Sequence, residues 1–95
     1  GELGPDAAEL HRGVGEYARD KGLERLFTVG TLSRETAAAF GPAATHFDDV
    51  DALCDALAPA LDDEVSLLVK ASRMMRLERV VERGDQALLR SICAR

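Results

Sequence analysis

Val65-Ser66-Leu67-Leu68-Val69-Lys70-Ala71-Ser72-Arg73 is the stretch on which the reading of this chain turns. The run from Val65 to Val69 is apolar or small without alternation, which suits a short strand buried on both faces of a parallel sheet. In open α/β folds, ligands bind beyond the carboxyl ends of such strands. Lys70, Ser72 and Arg73 fall at that end: a point charge, a hydroxyl and a planar fork suited to a carboxylate. The same residues also read as solvated charges at a turn. Met74 then opens a helical spacing, with Leu77, Val80 and Val81 as its inner stripe, and predicts the longest helix of the chain.

Working back towards the amino end, the pattern alternates. Asp6 is placed to cap a helix over 7–21 that Gly22 closes, with Leu10, Val14, Tyr17 and Ala18 as its buried face. Leu26-Phe27-Thr28-Val29 predicts a strand ending at Gly30. A helix beginning at Thr31 or Ser33 follows, and Gly41-Pro42 stops it after Phe40. Ala44-Thr45-His46-Phe47 reads as a short edge-like strand with His46 exposed. Asp48 or Asp49 caps a helix carrying Val50, Leu53, Cys54, Leu57 and Leu61, in which Pro59 bends the last turn. Beyond Arg83, Gly84-Asp85 marks a stop and a new cap, and Leu88, Leu89 and Ile92 fit a short terminal helix over 84–95. Strands alternating with helices predict an α/β fold: a Rossmann-like, three-layer half-domain with about three parallel strands near 25–29, 44–47 and 65–70. The 95 residues make one domain.

Composition narrows the function. Hydrophobic residues make up 46% of the chain and charged residues 31%, the balance of a globular domain rather than a disordered one. A net charge of −5 disfavours nucleic acid, whose phosphates require a basic surface. No apolar run approaches membrane-span length. Cys54 and Cys93 lack both a CxxC arrangement and a histidine at metal spacing, so they are expected as reduced thiols, with Cys54 in the core. Asp48, Asp49 and Asp51 lack the spacing of a calcium loop and are better explained by capping and solvation.

Several of these residues carry a resemblance. Gly1-Glu2-Leu3-Gly4 with His11 and Gly15, Val29-Gly30, then Val69-Lys70-Ala71-Ser72-Arg73 with Met75 and Glu78-Arg79-Val80-Val81, is similar to the C-terminal domain of Mur ligases of the MurF type. That branch joins D-alanyl-D-alanine to UDP-N-acetylmuramoyl-tripeptide with ATP, a step in making peptidoglycan precursor. The resemblance covers residues 1 to about 83. It implies the second half of a Rossmann-like ligase domain that begins inside the family's Glu-Leu-Gly motif. Such a domain closes over a central ATPase domain and helps hold the incoming dipeptide.

On that resemblance the substrate-binding candidates are Lys70, Ser72, Arg73 and His11, with no catalytic residue and no metal ligand in this segment. His11 has a turn-bonding alternative. ATP and magnesium would be bound mainly outside it, because the family's Gly-Lys-Thr phosphate loop has no counterpart among the 95 residues. The family's Lys-Gly-Ser-Arg turn has Ala71 in place of glycine, which gives up the closest backbone approach. The implied location is the cytoplasm, away from membrane and nucleic acid. An inactive isolated segment is expected, with possible self-association through an open sheet edge. The alternative is a free-standing α/β binding or interaction module without catalysis.

Overall fold

The computed structural model describes residues 5–61, 67–71, 77–81 and 84–93. In chain order the elements are α1 (Pro5–Asp20), β1 (Arg25–Val29), α2 (Ser33–Phe40), β2 (Ala44–Phe47), α3 (Val50–Ala60), β3 (Leu67–Ala71), β4 (Leu77–Val81) and α4 (Gln86–Cys93). The strands form one sheet in the order β2-β1-β3-β4. β1 runs parallel to both β2 and β3, as expected, and β4 runs antiparallel to β3.

The helix expected after Arg73 is the main correction. Residues 77–81 are a strand, with Val81 level with Leu67 and Leu77 level with Ala71. Leu77, Val80 and Val81 fit helical spacing, but two adjacent β-branched residues fit an extended ladder as well. The ladder decides between them, because it pairs the backbone groups along the outer side of β3. Val81 is buried, while Val80, pointing to the opposite face, is 56% exposed.

Alternation along the strands divides the molecule into three layers. Phe27, Val29, Leu67, Val69 and Val81 point to one face and pack with Leu53, Cys54, Leu57, Ala60 and Leu61 of α3 and with Leu88 and Ile92 of α4. Leu26 and Leu68 point to the other face and pack with Ala18 of α1 and Phe40 of α2. Chain geometry accounts for the division. The step from β1 to β2 goes one way along the sheet, and the step from β2 to β3 returns past β1. Right-handed crossovers therefore place α2 and α3 on opposite faces.

Local chemistry sets most boundaries. Gly22, at φ 81°, ends α1. There Gly22 N–H donates to Arg19 O and Leu23 N–H to Ala18 O, the paired bonds of a Schellman closure. Asp49 caps α3 by accepting from Ala52 N–H at 2.8 Å, and Asp85 caps α4 by accepting from Leu88 N–H at 3.0 Å. Pro59 is accommodated inside α3, which ends one residue later at Ala60.

Two further expectations are corrected. Leu10 and Tyr17 are 73% and 64% exposed, so α1 buries Ala7, Gly15 and Ala18, with His11 and Val14 partly covered. A Cβ built on Gly15 would stand 2.2 Å from Thr36 O, so glycine is what lets α1 sit this close to α2. The tight crossing rotates α1 and turns Leu10 and Tyr17 outward. The cysteines are also joined rather than free: Cys54 of α3 is disulfide-bonded to Cys93 of α4, with Cα atoms 5.8 Å apart. Their separation of 39 residues hides a proximity that only the packing of α4 on α3 creates.

Candidate functional site

The connection leaving β1 goes towards β2, whereas the chain leaving β3 goes towards β4. The carboxyl ends of β1 and β3 thus flank a topological switch point, where open α/β sheets place their ligands. Val29 and Ala71 pair at this edge. Gly30, at φ 104°, turns the chain out of β1. Ser33 N–H, Arg34 N–H and Glu35 N–H then donate back to Gly30 O, Thr31 O and Leu32 O, so the entry to α2 is a tight turn. Ser33 is fully buried, and its hydroxyl oxygen has no hydrogen-bond partner among the described residues.

One residue below the edge, a polar row crosses the sheet. His46 of β2 is level with Thr28 of β1, Thr28 with Lys70 of β3, and Lys70 with Glu78 of β4. Thr28 and Lys70 lie two residues beyond Leu26 and Leu68, and therefore on the face covered by α1 and α2. Thr28 is wholly buried and Lys70 only 7% exposed. A buried ammonium is costly unless it is satisfied, and Lys70 is engaged by an interaction of its own. Thr28 Oγ1 and His46 Nδ1 lie 2.7 Å apart in a hydrogen bond whose direction follows the imidazole tautomer. Burial, and secondarily the nearby Arg34 guanidinium, hold the His46 pKa below its ordinary value, with Asp48 opposing them. His46 is thus half-buried and bonded, not exposed as the sequence suggested.

The four candidates read from the sequence divide. Lys70 is in this row, inside β3 rather than in solvent beyond its end. Ser72 and Arg73 lie outside the described residues, as do Met74 and Met75. His11 belongs to the α1–α2 crossing, where its carbonyl accepts from Thr36 Oγ1 at 2.7 Å, and its Nδ1 is buried. That position gives it a structural part in holding the two helices together. Arg12 donates to Glu35 at 2.9 Å across the same crossing, and this carboxylate raises the Arg12 pKa.

Sequence reasoning missed Thr28 and the Thr28–His46 bond. A threonine inside an apolar strand with a histidine on the next strand was the available signal, but the register that joins them is not local in sequence. Of the three aspartates, Asp49 caps α3 and Asp48 pairs with Arg34 at 3.0 Å, both ordinary uses of a carboxylate. Chemically, the row sets a buried cation on one side of Thr28 and a hydrogen-bonded imidazole on the other, beneath the edge where a ligand would sit. It can hold β3 in register and set the electrostatic field at that edge.

Comparison with known proteins gives this geometry a context. The chain is 35% identical over 82 residues to the UDP-N-acetylmuramoyl-tripeptide–D-alanyl-D-alanine ligase of Escherichia coli (strain K12), a match covering 84% of this chain and 18% of that protein. It is 29% identical over 83 residues to the protein of the same name from Buchnera aphidicola subsp. Acyrthosiphon pisum (strain APS), covering 85% of this chain and 18% of that protein. The chain therefore spans about a fifth of the length of these relatives (18% of each). No family model and no solved structure matches it.

Proposed function

We propose, from the premise that this chain is a relative of the MurF-type Mur ligases over most of its length, that it serves as the closing domain of an ATP-dependent amide ligase. The observation that carries the reading is the 35% identity over 82 residues, which spans most of the chain rather than one motif. The reaction proposed for the whole enzyme joins D-alanyl-D-alanine to UDP-N-acetylmuramoyl-tripeptide in peptidoglycan precursor synthesis, in the cytoplasm. No described helix is long and apolar enough to cross a membrane.

In this reading, Lys70, Ser72 and Arg73 serve the incoming substrate, Lys70 from its buried place inside β3. They help hold the dipeptide carboxylate or balance charge on the acylating phosphate. His11 contributes indirectly, by fixing α1 against α2. The Thr28–His46 pair continues the same row across β1 and β2. ATP and magnesium are placed mainly outside this segment, whose sequence has no GxxxxGK[ST] loop. Their binding belongs to the rest of the ligase, and the 95-residue chain alone forms no amide bond.

The test is a segment exchange. Residues 1–95 replace the equivalent segment of the Escherichia coli ligase, and amide formation is followed with ATP, the UDP-linked tripeptide and D-alanyl-D-alanine. The expected result is a folded, active enzyme, with Lys70→Met lowering kcat/KM by about a hundredfold, the size of losing one preorganised charge-stabilising group. A folded exchange enzyme that binds ATP and forms no product overturns the reading.

A further inference from the structure

We infer that Cys54 and Cys93 form a reversible redox clasp that fastens the short helix α4 onto α3. The bond joins the two helices covering one face of the sheet. α4 has eight residues, Gln86–Cys93, well below the ~12–15 residues at which an isolated helix becomes even marginal in water. It is held by the burial of Leu88 and Ile92, by the Asp85 cap, by Gly84 N–H donating to Leu61 O, and by the disulfide. The bond closes at the last residue of the helix, the end farthest from the Gly84 anchor. Opening it leaves that end attached by Ile92 and the partly covered Leu89 and Cys93.

Unequal exposure sets the order of the chemistry. Cys54 is 3% exposed, whereas Cys93 is only partly covered. Cys93 is therefore the sulfur that external reagents reach. For oxidation, the co-reactant is a small-molecule disulfide of the glutathione class. The Cys93 thiolate attacks one of its sulfurs, forming a mixed disulfide and expelling one thiolate. The Cys54 thiolate then attacks Cys93 Sγ and expels the second. Two protein thiols are oxidised, one external disulfide is reduced to two thiols, and the two protons pass to the departing thiolates. Reduction runs backwards: an external thiolate attacks Cys93 Sγ and releases Cys54. The clasp does not depend on the ligase reading.

The test compares the 95-residue chain equilibrated with reduced and with oxidised glutathione, by intact mass, thermal melting and hydrogen exchange. In the oxidised form the mass is two hydrogens lower, the melting midpoint is roughly 10–20 °C higher, and α4 amides exchange about a hundredfold more slowly, as expected for a cross-link closing a loop of this size. Cys93→Ser removes the redox dependence of both midpoint and exchange. Cys54→Ser takes up one glutathione on Cys93, whereas Cys93→Ser takes up none while folded. Two free thiols persisting in oxidised glutathione, or equal α4 exchange in the two redox states, overturns the proposal.

Discussion

At the scale of single residues, two positions carry the α1 and α2 face of the sheet. Gly15 permits a helix crossing in which any Cβ would meet Thr36 O at 2.2 Å. Gly15→Ala is expected to destabilise the fold by about 1–3 kcal/mol through overpacking, read by urea denaturation. Gly13→Ala on the same helix meets nothing within 4 Å and should stabilise by roughly 0.5–1 kcal/mol. Opposite signs two residues apart separate close packing from helix propensity. His46 gives a pH dependence whose direction is fixed. Its folded pKa lies below the ordinary 6.5, so the unfolded chain binds more protons in the window between the two values. Stability from this group is complete above pH 6.5 and falls as the pH drops through that window. Thermal melts of the wild type and His46→Gln should converge as the pH is lowered from neutral to 5. A wild type that gains on the variant over that range contradicts the assignment.

At the scale of elements, caps and punctuation were legible in the sequence because they act within a few residues. Gly22, Gly41-Pro42, Asp49 and Gly84-Asp85 each do at the backbone what their residue types suggest. Asp49→Ala should cost about 0.5–2 kcal/mol, seen as a lower urea midpoint with an unchanged slope. Leu88→Ala should cost about 2–5 kcal/mol, because Leu88 is fully buried in the core that α3 and α4 share with the sheet. What could not be read depended on distant partners. Leu77, Val80 and Val81 satisfy helical spacing, and only the free side of β3 makes them a strand. Leu10 and Tyr17 satisfy it too, but the glycine-set crossing chooses Ala7, Gly15 and Ala18 instead. Thr28 with His46 and Cys54 with Cys93 are pairs made by tertiary packing. Their separations of 18 and 39 residues carry no local signal.

At the scale of the molecule, the sheet explains both what this chain offers and what it lacks. Three parallel strands with α1 and α2 on one face and α3 and α4 on the other present a switch point at β1 and β3. The buried Lys70 lies one residue below it, and the Ser72-Arg73 pair follows in sequence. No phosphate loop accompanies them. The chain by itself is therefore expected to bind ATP no better than millimolar in titration calorimetry; micromolar affinity would place nucleotide chemistry in this segment. The most direct measurement captures the native polypeptide from its source cells with an antibody raised against this chain. The captured protein is supplied with ATP, magnesium, UDP-N-acetylmuramoyl-tripeptide and D-alanyl-D-alanine. The account predicts a polypeptide several times larger than 10.2 kDa that forms the amide product with release of ADP and phosphate. A 10.2 kDa polypeptide that folds stably and forms no product would contradict it.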